Sequence, residues 1–163
     1  MSFAQQLEAT WPAQYIANSI WGFPILEVTH LLGITVVFGG MVLLDLRLLG
    51  LRRDISAVAL ERYVLPYVWI GFAIAAFSGG WLIVYEAGKL VDDSAFLLKM
   101  LLLPLAGLNA LFMHRIAARG RAAWDVHAMP PLLVRLSAAI SLLLWSVILA
   151  CGRLIAYYYG SGI

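Results

Sequence analysis

The chain has 163 residues, of which 63% are hydrophobic and 12% charged, and its formal net charge is +2 at neutral pH. A soluble domain carries about a quarter charged residues, and a domain this small could not bury so much apolar surface, so a soluble globule is excluded. The small net charge gives no support to nucleic-acid binding, and the single cysteine, Cys151, excludes an internal disulfide and a metal site built from cysteines. We therefore predict an integral membrane protein for which the lipid bilayer is the main solvent.

The first twenty residues are weakly amphipathic. Apolar side chains recur there among polar ones, namely Phe3, Leu7, Trp11, Tyr15 and Ile16. We interpret segment 1–20 as a short helix that lies at the membrane interface and is broken near Pro12. Because the region before the first span contains no lysine or arginine, we expect no cleavable signal sequence.

Four later stretches are apolar enough to cross a membrane. A hydrocarbon core of roughly 30 Å requires about 20 residues of helix. The four spans run from about 23 to 49, 63 to 85, 96 to 116 and 132 to 158. Short connectors require neighbouring helices to be antiparallel. The sequence therefore predicts an all-α, up-and-down four-helix bundle, forming a single membrane domain over residues 1–163.

Lysine and arginine residues are unevenly divided between the two sides of this predicted bundle. Eight belong to one side: Arg47, Arg52, Arg53, Arg62, Arg115, Arg119, Arg121 and Arg135. Three belong to the other: Lys89, Lys99 and Arg153. Positive charge is enriched in loops that stay in the cytoplasm. We therefore expect a protein of the bacterial inner membrane with both termini in the periplasm.

Ionisable residues inside the spans are the candidates for function, because each is costly in lipid unless it is paired or solvated. Antiparallel threading brings four of them to the outer half of the bundle: Glu27, His30, Lys99 and Arg153. A second group lies near the cytoplasmic end: Asp45, Arg47, His114 and Arg115. We expect charges of this inner group to pair or to reach the interface.

The outer group also has purely structural interpretations. Glu27 and Arg153 are consistent with an interhelical ion pair, and Lys99 with a side chain that reaches outward to the interface. His30 is consistent with a hydrogen-bonded packing residue. However, His30 lies about 10 Å deep by the helix rise. Fourteen uncharged residues follow it, and three charged residues share its depth.

Small residues in the first two spans give a second indication. Close packing of helices is permitted by Gly33, Gly39 and Gly40, and then by Gly71, Ser78, Gly79 and Gly80. They also permit a flat ligand, such as a porphyrin, to lie against the helices, and Ser78, Gly79 and Gly80 are expected near the depth of His30. Neutral imidazole is a common iron ligand. Lys99 and Arg153 carry the charge needed to bind haem propionates.

These residues suggest a b-type haem whose iron is bound by His30. Glu27 would orient His30 or relay a proton. No second histidine lies at matching depth, so three arrangements stay open. The iron is five-coordinate, takes a non-histidine ligand, or shares His30 across a dimer.

A resemblance to known families supports a tetrapyrrole. The segments LEVTHLLGITVVFGGMVLLDLRLLGLRR, FSGGWL, FLLKMLLLPLAGLN and CGRLIAYYYG carry it. Over nearly its whole length the chain resembles a family of small bacterial four-helix membrane proteins of unassigned function. More distantly it is similar to the CopD-like copper-resistance domain and the HemJ-type protoporphyrinogen oxidases, through His30, Gly39, Arg47 and Lys99. This similarity implies that His30 is the haem or metal ligand and that Lys99 lies near the tetrapyrrole.

The leading hypothesis is a cytochrome b-like membrane protein. It would transfer electrons to or from quinone or a periplasmic redox partner, or carry out redox chemistry on a bound porphyrin. The alternative is a cofactor-free transport, proton-relay or accessory subunit that uses the same polar cluster, and a third possibility is a scaffold for larger membrane enzymes. Transporters usually build their substrate sites between structural repeats. Four helices are few for such an arrangement. The glycine-rich faces are consistent with a homo-oligomer.

Overall fold

The structure, a computed structural model, describes residues 3–117, 120 and 123–160. Within these ranges it contains seven α-helices and no strand, which confirms the predicted all-α class. The helices are α1 (Phe3–Glu8), α2 (Trp11–Asn18), α3 (Gly22–Leu48), α4 (Ala57–Tyr85), α5 (Ala87–Leu90), α6 (Ser94–Ala117) and α7 (Leu132–Gly160). The first two residues of the predicted interfacial segment, and Arg119 and Arg121 of the charge count, lie outside the described residues.

Four helices have the length and apolar composition needed to cross a membrane, which confirms the predicted number of spans. They are α3, α4, α6 and α7, through the portions Gly22–Leu48, Ala57–Tyr85, Ser94–Arg115 and Leu132–Ile155. The largest difference from the expected boundaries is at α4, which begins at Ala57 instead of residue 63. Ser56 explains this difference, because its side chain accepts a hydrogen bond from the Ala59 N–H at 3.1 Å and caps the helix before the apolar run begins.

The N-terminal segment forms two short helices, and the break falls at Ala9 and Thr10, just before Pro12. The Thr10 hydroxyl donates to the Leu7 carbonyl at 2.6 Å. Pro12 lies in the first turn of α2, where its missing N–H breaks no helical hydrogen bond. The short helix α5, which the sequence did not predict, packs against α1, and its Gly88 N–H donates to the Glu8 carboxylate at 2.7 Å. We call the end of the bundle formed by α1, α2 and α5 the N-terminal end.

Contacts along the long helices define their directions. His30 on α3 contacts Ala75 on α4, whereas Gly40 contacts Val68, so the position on α4 falls as the position on α3 rises. The two helices therefore run antiparallel.

The α6–α7 pair shows the same relation. The Asn109 side chain on α6 donates to the Ser137 carbonyl on α7 at 3.0 Å, and the Ser137 hydroxyl donates back to the Asn109 side-chain oxygen at 2.9 Å. Nearer the N-terminal end, Lys99 on α6 lies beside Gly152 on α7. Packing between α3 and α7 joins the two pairs, so these helices form the middle of the bundle.

Two apolar clusters fill the interior. One contains Val37, Met41, Leu44, Val64 and Val68, with Trp145 packed against it. The other lies nearer the connectors and contains Leu48, Ala57, Trp124, Val134 and Ala138. Large apolar side chains also cover the outer faces, for example Leu101 and Leu108 on α6, which are 60% and 62% exposed. Such faces suit contact with lipid, because exposing so large an apolar surface to water would be unfavourable.

A buried arginine organises the end of the bundle at which α3 ends and α4 begins, here called the basic end. Arg47 is only 3% exposed. Its Nε donates to the Ile55 carbonyl at 2.6 Å, and its Nη2 donates to the Asp125 carbonyl at 2.8 Å. We call these two hydrogen bonds the Arg47 clasp, because they attach both connecting segments of the basic end to α3.

The Asp125 carboxylate continues this network to the first turn of α4. It accepts hydrogen bonds from the Ser56 hydroxyl at 2.7 Å and from the Val58 N–H at 2.9 Å. Burial alone would raise the pKa of Asp125. The hydrogen bonds from Ser56, Val58 and Ala57, with the Arg47 guanidinium nearby, outweigh burial and hold the pKa below its ordinary value. These hydrogen bonds fix the connector that contains Asp125 to the start of α4. The sequence of this connector shows no helical or strand periodicity.

Candidate functional site

His30 is the centre of the candidate site and lies half-buried on α3 at the interface with α4. Its Nδ1 is 2.8 Å from the Ala75 carbonyl oxygen and 3.3 Å from the Ser78 hydroxyl oxygen. A carbonyl oxygen can only accept, so Nδ1 carries the hydrogen and donates it. The neutral ring therefore keeps its lone pair on Nε2.

Ser78 is fully buried and strengthens this arrangement. Its hydroxyl donates to the Ile74 carbonyl at 2.6 Å, which leaves its oxygen free to accept from His30. Histidines that bind metals generally donate their second ring N–H to a carbonyl or carboxylate, which fixes the tautomer and the ring orientation. His30 has this anchoring on one nitrogen and a lone pair on the other.

Gly79 provides the space that the imidazole occupies. A methyl group at this position would lie 2.8 Å from Cε1 and 3.1 Å from Nδ1 of His30. Any larger residue would therefore push the ring away from the Ala75 carbonyl. The adjacent Gly80 has nothing within 4 Å of the same position. The sequence prediction that Gly79 lies at the depth of His30 agrees with this contact.

Lys99 comes from the opposite side of the bundle, on α6. Its side chain is half-buried, and its Nζ would lie 3.6 Å from a methyl group at Gly152 on α7. The ammonium is within electrostatic range of both His30 and Cys151. Lys99 therefore lies against α7, at Gly152.

Glu27 and Arg153 lie at the same end of the bundle but are exposed. No hydrogen bond or ion pair between described residues joins Glu27 to Arg153 or to His30. The Ala75 carbonyl and Ser78 hold the His30 ring in this structure, whereas Glu27 lies on the outer surface. The predicted role of Glu27, to orient His30 or to relay a proton, stays a prediction.

The inner group of ionisable residues does not form one cluster. Arg47 binds backbone carbonyls of the connectors, and Arg115 is exposed. His114 Nδ1 lies 3.2 Å from the Glu61 carboxylate, which joins α6 to α4 at the basic end. Asp45 is buried beside Ser141 on α7. Each of these contacts is therefore made to a residue outside the group.

Sequence reasoning missed three features of the structure. The Ala75 carbonyl has no side-chain signature, and Asp125 lies in a connector without periodicity. The Asn109–Ser137 pair had a readable signal, because an asparagine inside an apolar span requires a hydrogen-bonding partner. That partner could not be chosen from the sequence alone.

A haem and a bare metal ion require different numbers of protein ligands. Among the described residues, no group of three or more histidine, cysteine, aspartate or glutamate side chains converges. A porphyrin brings four nitrogens of its own and requires as little as one axial histidine from the protein. The Nε2 lone pair of His30 has the chemistry of such a ligand.

No known protein family, characterised protein or solved structure was found to match this chain. The fold and the site therefore define the class by themselves. The chain is a multi-pass membrane protein of four long apolar helices, with a histidine anchored by its Nδ1–H between the first two of them.

Proposed function

We propose that the protein is a b-type haem protein of the bacterial inner membrane in which His30 binds the haem iron through Nε2. The observation that carries this proposal is the hydrogen bond from Nδ1 to the Ala75 carbonyl at 2.8 Å. It leaves a fixed lone pair on Nε2, and it raises the basicity of that nitrogen as a ligand.

Other residues of the site have complementary roles. Gly79 leaves room for the imidazole, and Lys99 binds a propionate through its ammonium. Arg153, exposed near the end of α7, is a second propionate ligand. Glu27 lies on the outer surface, where it is available for proton exchange with water instead of orienting the ring.

The distribution of arginine and lysine sets the proposed orientation. The basic end faces the cytoplasm, and the N-terminal end, with the His30 site in its half of the bundle, faces the periplasm. A haem bound there supplies a one-electron redox centre. We propose electron transfer to or from quinone in the bilayer or a periplasmic redox partner. The chain's own contribution is to hold the imidazole, bind the propionates and keep water away.

Absorption spectra test the proposal. The detergent-purified protein, produced with excess haem, should show a Soret band that sharpens on reduction with dithionite. The band should disappear in the His30→Ala variant and persist in His114→Ala, the matched control, because His114 lies at the basic end and contacts Glu61. A colourless wild-type protein would contradict the proposal and favour the cofactor-free transport, proton-relay or accessory alternative.

A glycine substitution provides a second test that leaves the histidine in place. We expect Gly79→Ala to weaken haem retention by about 10–100-fold, the range seen when the hydrogen-bonding support of a metal ligand is disturbed. The added methyl group would lie 2.8 Å from the ring and displace it from Ala75. Titration of the apoprotein with haem measures the effect.

Gly80→Ala is the control for this substitution, since nothing lies within 4 Å of the added methyl group. It should bind haem as the wild type does. Equal weakening by both substitutions would show that helix α4 as a whole, and not the His30 contact, determines binding.

A further inference from the structure

A second polar site lies away from His30, toward the basic end of the bundle. Asp45 on α3 is only 2% exposed. Its neighbour on α7 is Ser141, whose side chain is its hydrogen-bond partner and is itself 4% exposed. The second carboxyl oxygen, Oδ2, is buried and has no hydrogen-bond partner. One turn further along α7, the buried Trp145 Nε1 also lacks a partner.

The charged groups nearby are engaged elsewhere or do not pair with Asp45. On α3 itself, Arg47 donates to the connector carbonyls through Nε and Nη2, and its buried Nη1 has no hydrogen-bond partner and forms no ion pair with Asp45. On α4, Glu61 contacts His114, and Arg62 is exposed. On α7, no ion pair between described residues joins Arg135 to the carboxyl. Asp45 therefore has no cationic partner among the described residues.

An ionised carboxylate without a cation is costly inside a membrane span. Two remedies are chemically available, a bound metal ion or a bound proton. Hard cations such as calcium take about six to eight oxygen ligands. Here Asp45 has the Ser141 hydroxyl as its partner, and no group of three or more histidine, cysteine, aspartate or glutamate side chains converges among the described residues. A proton requires only one oxygen, and Oδ2 is free to carry it.

We propose that Asp45 is a proton-binding site and holds one proton at neutral pH as a neutral carboxylic acid between α3 and α7. The proton comes from water and forms an O–H bond at Oδ2, while the other oxygen accepts from the Ser141 hydroxyl. This site goes beyond the proposed haem function and does not rest on it, because Asp45 and His30 are separated by fourteen apolar or uncharged residues of α3.

Infrared spectroscopy detects a protonated carboxyl directly, including a buried one. The difference spectrum between the wild type and Asp45→Asn at neutral pH should contain one C=O stretching band of a carboxylic acid. The band should shift on deuteration and on labelling with carbon-13 aspartate. Ser141→Ala should move it to higher frequency, because a hydrogen bond to the carboxyl is lost.

The matched control is Asp54→Asn, which removes an exposed carboxylate. The Arg52 guanidinium lies 3.0 Å from Asp54 and lowers the pKa of its carboxyl, so this substitution should remove carboxylate bands only. If Asp45→Asn also removes only carboxylate bands, Asp45 is ionised and the proposal is overturned. If Asp45→Asn does not fold, the carbon-13 shift and the Ser141→Ala shift decide the question.

The same spectra of His30→Ala separate this proposal from the haem proposal. The carboxylic acid band should remain in that variant, whether or not haem is bound. A wild-type protein that shows the Soret band but no carboxylic acid band would overturn the Asp45 proposal alone. A colourless protein that keeps the band would overturn the haem proposal alone.

Discussion

Replacing Gly33 by alanine is expected to destabilise the protein by about 1–3 kcal/mol, the usual cost of overpacking a tight interior. The added methyl group would lie 2.8 Å from both the Ala75 nitrogen and the Gly71 carbonyl oxygen. Both are backbone atoms of α4, so no side-chain rotation can relieve the overlap. The helices α3 and α4 must separate, and this separation would also displace His30 from its hydrogen bond.

Gly39→Ala is the control on the same helix, because nothing lies within 4 Å of the added methyl group. Thermal unfolding with a thiol-reactive fluorophore measures both variants, since Cys151 is the single cysteine and is only 3% exposed. We expect a lower midpoint for Gly33→Ala and an unchanged or slightly higher one for Gly39→Ala, because alanine favours a helix more than glycine does. Equal midpoints would contradict the close contact between α3 and α4.

Replacing Arg47 by alanine is expected to have the larger effect, about 3–5 kcal/mol. The substitution removes two hydrogen bonds from a buried guanidinium, each worth about 1.5–3 kcal/mol, and leaves the Ile55 and Asp125 carbonyls without them. Lysine should not restore the stability, because a single ammonium cannot reproduce the planar arrangement of Nε and Nη2. The same unfolding assay reports the change.

Arg52→Ala is the control for this substitution, since its ion pair with Asp54 is exposed on both sides, 74% and 56%. Exposed pairs of this kind contribute little to stability, so the midpoint should not change. Limited proteolysis should also cut the connectors of the basic end faster in Arg47→Ala. If the two arginine variants unfold alike, the Arg47 clasp does not hold these connectors in solution.

The helices could be predicted from the sequence because lipid imposes a simple rule, a long apolar run for each span. The depth of His30 relative to Gly79 also followed from counting along antiparallel helices. The partner of the imidazole did not follow. The depth of a residue in the bundle follows from its position along the helix. The contact with the Ala75 carbonyl depends instead on how α3 and α4 are rotated about their axes.

Arg47 illustrates a second limit. Its position near the end of a span predicts pairing with a neighbour or contact with the interface. In the structure, the Arg47 guanidinium donates hydrogen bonds to backbone carbonyls of two connectors that are distant in sequence. No sequence pattern in a loop indicates which backbone carbonyl will be available to accept a hydrogen bond. The partners of a buried arginine of this kind are therefore identified only from the structure.

The central claim is that Nε2 of His30 binds the haem iron, and chemical rescue tests it most directly. His30→Gly removes the imidazole and leaves a space beside Gly79 that imidazole added to the buffer can enter. We predict that the Soret band is lost in His30→Gly and returns when imidazole and haem are added together. A His30→Gly protein that keeps the wild-type spectrum without imidazole would contradict the claim.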